Sequence, residues 1–188
     1  HNRSVFTDVG EDAELIAALL AAIPCARERI DLRRREGAHP RIGAADVVPL
    51  VPIRPDDMPR AREAALELAR RIGEELALPV FLYGDLASGK GPAFYRRDGI
   101  DELQRRIDEA ELEPDFGPKR LDESAGAVLV GARPPLIAFN VNLRGPLEAA
   151  KAIAAAIRES GGGFPGVRAL GLDLPTAGLV QVSMNVED

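Results

Sequence analysis

The chain has 188 residues, a formal net charge of −6, 46% apolar residues and 4% aromatics with no tryptophan. That length suits one ordinary domain or two small ones sharing an interface, with a core built mainly from alanine, leucine, valine and isoleucine. The acidic balance disfavours non-specific nucleic-acid binding, and the lone Cys25 excludes an internal disulfide and a cysteine-based zinc site. No apolar run approaches membrane-spanning length, no signal-peptide pattern is present, and a reducing cytoplasm is the expected setting, with no membrane partner.

Ser4 to Val9 reads as a short strand closed by Gly10. Glu11 to Ala22 reads as a helix with Leu15, Ile16, Leu19 and Leu20 on one stripe. Pro24 is expected to interrupt it, and a second helix to run to Arg35 before Gly37 stops it. Asp46 to Ile53 is strand-like, and Pro49 and Pro52 place it at an edge or bulge. Asp56 or Asp57 can cap a long helix through Leu76, which Leu78-Pro79 ends. Val80 to Tyr83 is a short buried strand, residues 84 to 98 a loop rich in glycine and charge, and Ile100 to Glu111 a short amphipathic helix.

Residues 114 to 133, with Pro114, Gly117, Pro118 and Gly126, read as a linker. Beyond it, Leu136 to Leu143 is a strand, and Pro146 opens a helix through Arg158 that Gly161-Gly162-Gly163 ends. Val167 to Leu172 and Leu179 to Val186 are two more strands. The order strand, helix, strand, strand is most of a ferredoxin-like βαββαβ unit. The expected class is α+β, two related sandwiches joined by the linker.

The candidate chemistry centres on the turn from Gly37 to Pro49, which holds His39, one of two histidines. Histidine's unperturbed pKa, about 6.5, lies nearest physiological pH, and a histidine pinned by proline and glycine can act as general acid or base. A His-Pro pair in a polar loop is otherwise only a loop. Arg41 and Asp46 could orient the turn or polarise the imidazole, and a structural ion pair within the turn is the role expected for both. A second motif, Gly84-Asp85-Leu86-Ala87-Ser88-Gly89-Lys90, has the spacing of a phosphate loop after an apolar strand. Gly91 then replaces the Ser or Thr that would hold magnesium, so a surface loop is expected rather than a nucleotide site. His1 and His39 have no neighbours at metal-ligand spacing, and no metal is expected. Arg33-Arg34-Arg35 reads as a solvated helix terminus, and Lys119 and Arg120 as linker cations able to meet an anion.

The chain resembles the glutamate formiminotransferases along nearly its whole length. The resemblance rests on Asn2-Arg3-Ser4-Val5-Phe6-Thr7, His39-Pro40-Arg41-Ile42-Gly43-Ala44-Ala45-Asp46-Val47, Pro79-Val80-Phe81-Leu82-Tyr83-Gly84, Pro114-Asp115-Phe116-Gly117-Pro118, Gly131-Ala132-Arg133 and Leu136-Ile137-Ala138-Phe139-Asn140-Val141-Asn142-Leu143, in that order. It implies two ferredoxin-like α/β sandwich subdomains with a folate-binding groove between them. Residues 1–130 would be the N-terminal subdomain without its first strand and helix, and residues 131–188 a partial C-terminal subdomain. The family's Pro-Asn-Phe-Ser-Glu-Gly segment would precede His1, and a final helix and strand would follow Asp188, so the chain is expected to be truncated at both ends.

The resemblance also implies an activity, transfer of a formimino group between N-formimino-L-glutamate and tetrahydrofolate, with tetrahydrofolate as co-substrate. His39 matches the family's catalytic histidine. The loop Gly117, Pro118, Lys119, Arg120, Leu121, Asp122, Glu123, Ser124, Ala125 and Gly126 matches its folate-contacting loop, with both end glycines in place and a different interior. The implied partners are small molecules, and a homodimer is compatible with the reading. A non-catalytic folate-binding or interaction module of the same fold is the alternative.

Overall fold

The computed structural model describes residues 2–34, 37 and 39–187. They form an α+β structure in two compact units, residues 4–34 with 40–133, and residues 2–3, 37 and 39 with 134–187. No helix among the described residues is long and apolar enough to cross a membrane.

In chain order the larger unit comprises α1 (Asp12–Arg29), β1 (Val47–Leu50), α2 (Met58–Glu75), β2 (Val80–Gly84), α3 (Pro92–Arg96), α4 (Gly99–Asp108) and β3 (Val128–Ala132). Its three strands lie in the order β1-β3-β2, and both pairings are parallel. β3 alternates between two cores. Val128, Val130 and Ala132 pack with Ile16 and Ile23 of α1 and Leu68 and Ile72 of α2, while Leu129 packs with Tyr95 of α3 and Leu103 and Ile107 of α4. Helices on both faces bury the strand completely, which explains a continuous apolar run in place of alternation. Residues 128–132, expected as part of a linker, are therefore the central strand of the sheet.

Helix α2 forms because Ala61, Ala64, Ala65, Leu68, Ala69 and Ile72 recur at helical spacing and are all buried. Leu68 and Ile72 are fully buried, each worth about 1.5–3 kcal/mol of transfer free energy. The outward face carries Arg70 paired with Glu67 and Glu74, and Arg71 paired with Glu75. Such exposed pairs add little, roughly 0–1 kcal/mol each.

Two local expectations are corrected. Helix α1 continues through Pro24 to Arg29. Proline removes one helical hydrogen bond at a cost of about 3 kcal/mol, but Ile16 and Ile23 before it are buried in one core, Arg27 beyond it donates to Leu76 O and Asp122, and tertiary contacts override the local break. A 3-10 turn, Leu32–Arg34, follows instead of a second helix, and Arg35 lies outside the described residues. Residues 4–9 form no strand. β-branched and aromatic residues favour a strand only where a ladder partner exists. No strand among the described residues pairs with this segment, and Val5 and Phe6 stay 86% and 87% exposed.

The smaller unit comprises β4 (Leu136–Leu143), α5 (Leu147–Ile157), β5 (Val167–Leu174) and β6 (Leu179–Glu187). Its sheet is antiparallel in the order β4-β6-β5, with Phe139 and Ala169 both opposite Met184. Ala150 and Ala154 of α5 pack on Ala169, Val180 and Val182. Pro146 stands at the N-cap of α5. This is the split βαβ arrangement with β6 between two parallel strands. The larger unit shares the strand order but not the directions. Its β3 arrives after the long excursion of residues 85–127, through two helices, and enters parallel rather than by a hairpin.

Candidate functional site

His39 lies half-buried in a bend, followed by Pro40. Downstream the backbone is fixed from several sides. Ile42 is fully buried, and its N–H donates to Asp46 Oδ1 at 2.8 Å. Ala127 N–H donates to Ile42 O at 2.9 Å, Ala44 N–H to Ala125 O at 2.9 Å, and Leu129 N–H to Asp46 O at 3.0 Å. Residues 42–46 are thus stitched to the segment leading into β3.

The ion pair expected between Arg41 and Asp46 is replaced by another. Arg96, the last residue of α3, donates through Nη2 to Asp46 Oδ2. Arg96 is the residue that sequence reasoning missed. Its partner lies fifty positions away, beyond the reach of any local spacing rule, and the only hint was Phe94-Tyr95, an apolar pair inside a polar stretch. Residues 84–98 accordingly carry a 3-10 turn, Asp85–Ala87, and the short α3, where a plain loop was expected.

The Gly84 to Lys90 stretch closes on itself. Gly89 N–H donates to Gly84 O at 2.9 Å, Lys90 N–H to Ala87 O at 3.1 Å, and Gly84 N–H to Lys90 O at 2.8 Å. A phosphate cradle needs such amides aimed outward at the N-terminus of a substantial helix. Here the following α3 has five residues, and Lys90 Nζ sits 5.1 Å from the centre of the Phe94 ring.

The loop from Gly117 to Gly126 has two halves. Gly117, Pro118, Lys119 and Arg120 are exposed, and Lys119 Nζ pairs with Glu113 at 2.6 Å. Leu121 and Ala125 are buried, and Glu123 is exposed. Asp122 organises this second half. Its Oδ1 accepts from Ser124 Oγ at 2.9 Å, Ser124 N–H at 3.0 Å and Ala125 N–H at 2.7 Å, and its Oδ2 accepts from Arg27 at 2.6 Å. Burial alone would raise the Asp122 carboxyl. The bonds from Ala125 and Ser124, with the Arg27 charge, outweigh it and hold the group below its ordinary value.

The two segments singled out separately in the sequence meet here. Gly43 and Gly126 form an antiparallel bridge, so the turn after His39 and the end of the Gly117–Gly126 loop are backbone neighbours. Beside the loop, a shallow hollow is lined by Asp101, Gln104, Asp108, Arg120, Asp122 and Glu123. Its carboxylates outnumber its one guanidinium, so the hollow repels rather than attracts anions. No group of three or more His, Cys, Asp or Glu that could hold a metal ion occurs among the described residues, and His1 lies outside them.

Residues 1–133 match the family described as the formiminotransferase domain, N-terminal subdomain, and residues 138–188 match the formiminotransferase domain. The chain is 40% identical over 190 residues to a glutamate formimidoyltransferase of Streptococcus pyogenes serotype M1, covering 99% of this chain and 64% of that protein. It is 41% identical over 196 residues to the protein of the same name from Thermoplasma acidophilum, covering 99% and 63%. It is 40% identical over 197 residues to the formimidoyltransferase-cyclodeaminase of Sus scrofa, covering 100% and 36%. The chain therefore spans less than two thirds of each of these relatives. With both family matches falling on its two halves, the chain belongs to the formiminotransferase family.

Proposed function

We propose that this chain carries out, within the full-length protein, formimino transfer between N-formimino-L-glutamate and tetrahydrofolate. The observation that carries the reading is the similarity, along the whole chain, to proteins named glutamate formimidoyltransferase. The bridge between Gly43, in the turn that follows His39, and Gly126 of the Gly117–Gly126 loop is consistent with it.

The chemistry needs one proton shuttle. The formimino carbon is electrophilic when its amidine is protonated. Attack by N5 of tetrahydrofolate forms a C–N bond and leaves N5 with a proton to lose. His39 accepts that proton and returns it to the glutamate nitrogen. The bond from carbon to glutamate nitrogen then breaks, giving glutamate and 5-formimino-tetrahydrofolate. A positioned general acid–base group contributes about 10²–10⁴-fold, and alignment of the two substrates supplies much of the rest.

Within the same reading, the Gly117–Gly126 loop contacts folate, and Lys119 and Arg120 meet the carboxylates of its glutamate tail. The cytoplasm is the compartment that the single Cys25 suits. The test is turnover: the full-length protein, given both substrates, forms 5-formimino-tetrahydrofolate and glutamate in equal amounts. Folate binding without any turnover would replace this reading with that of a binding module.

A further inference from the structure

The loop of residues 117–126 divides by how it is held. In its second half, Asp122 N–H donates to Gly126 O at 3.2 Å and Gly126 N–H to Asp122 O at 2.8 Å, and the Asp122 carboxylate binds Ser124, Ala125 and Arg27. The entry to the loop is fixed as well. Val80 N–H of β2 donates to Phe116 O at 2.9 Å, and Gly117 lies so close to Leu78 that a Cβ would stand 2.2 Å from Leu78 O. Between these ends Pro118, Lys119 and Arg120 form an exposed arch. Among the described residues, no backbone hydrogen bond holds any of the three.

One side chain ties the far end of the arch. Leu121 N–H donates to Gln104 Oε1 at 2.8 Å, and Gln104 Nε2 donates to Asp108 Oδ1 at 2.7 Å. Only the amide oxygen can accept, so the second bond keeps that oxygen turned to the loop. Gln104 rides on α4, whose Leu103 and Ile107 are buried in one core with Leu121 itself. Helix α4 thus grips Leu121 both by its side chain and by its N–H. A peptide unit is planar, so a fixed Leu121 N–H also fixes the carbonyl of Arg120. At the other end Pro118 locks its own φ. Few torsions in the arch remain free.

We infer that Gln104 is a positioning residue for the arch of residues 118–120, which it holds through the Leu121 amide in the form that meets the ligand. A loop ordered before its ligand arrives loses less binding free energy to ordering. This inference rests on the proposed contact between the loop and folate.

The test measures formimino transfer by the full-length protein, with hydrogen exchange of the Leu121 amide as a second readout. Gln104→Met keeps the bulk and the helix and removes the acceptor. It speeds Leu121 exchange at least about tenfold and raises KM for tetrahydrofolate about 3- to 10-fold. It leaves kcat and KM for N-formimino-L-glutamate within about twofold. A merely structural loss would lower the active fraction, and so kcat, without favouring one substrate. Gln104→Ala shows the same split and serves if Gln104→Met does not fold. Gln104→Glu combined with Asp108→Asn restores the acceptor and its partner, and returns KM for tetrahydrofolate to that of the parent. Lys119→Ala with Arg120→Ala, read on polyglutamylated tetrahydrofolate, reports separately whether the loop meets folate. If that variant weakens the ligand while Gln104→Met leaves KM unchanged, the inference is overturned and the loop reading stands. Parent-like exchange of Leu121 in Gln104→Met, or a fall in kcat with KM unmoved, also overturns it. If neither the arch variant nor Gln104→Met affects the folate substrate, both readings fall.

Discussion

Gly43 and Gly126 face each other across an antiparallel bridge, and neither position has room for a side chain. A Cβ on Gly43 would collide with Ala127 O, and one on Gly126 with Ile42 O. Gly126 also has φ +68°, in the left-handed region. Gly43→Ala is expected to destabilise the fold by about 1–3 kcal/mol, the usual cost of overpacking. Gly126→Ala is expected to cost roughly 1–2 kcal/mol more, from its backbone conformation. Denaturant midpoints check this. Midpoints equal to that of the parent would show that the turn and the loop do not need this close approach.

Asp122 gives a pH prediction with a definite sign. Its carboxyl lies below its ordinary value in the folded chain. As pH falls, the unfolded chain therefore binds this proton first. The stability it contributes is fully present above the ordinary carboxylate range and is lost as pH falls through the lowered folded value. Asp122→Ala removes the acceptor for Ser124 and Ala125 and is expected to cost about 1–3 kcal/mol near neutrality. The difference from the parent should shrink steadily below about pH 4. A difference that stays constant down to the acid transition would show that the carboxylate charge plays no part.

Lys119 and Arg120 are proposed to read the glutamate tail of folate. Lys119 is already paired with Glu113, and exposed pairs are worth roughly 0–1 kcal/mol and are screened by salt. Lys119→Ala with Arg120→Ala should therefore weaken polyglutamylated folate only a few-fold, and more than it weakens monoglutamylated folate. The gap should close at high salt. Equal losses for the two ligands, measured by titration, would remove both side chains from tail recognition.

Much of this was legible in the sequence wherever one face of an element is wet. Helix α2, strand β4 and helix α5 stood out, because polar residues punctuate their apolar spacing or a proline marks their start. β3 did not, because Val128, Leu129 and Val130 are buried on both faces and show no period. Ser4 to Val9 has the β-branched and aromatic residues of a strand and, among the described residues, lacks a partner, which a local pattern cannot reveal. Pro24 was read by its local cost, which the buried Ile16 and Ile23 before it and the contacts of Arg27 after it outweigh. The turn after His39 was legible from its glycine and proline. Its tie to Arg96 was not, because the two ends of that ion pair are joined only by the fold.

The central claim is that His39 moves the proton in formimino transfer. The most direct measurement is the rate of formimino transfer by the full-length protein carrying His39→Asn, alongside its affinity for tetrahydrofolate. The account predicts a fall in kcat of at least about 10²-fold with folate affinity nearly unchanged, because a lost proton shuttle acts on the transition state and not on ground-state binding. A kcat near that of the parent, with folate affinity intact, would contradict it.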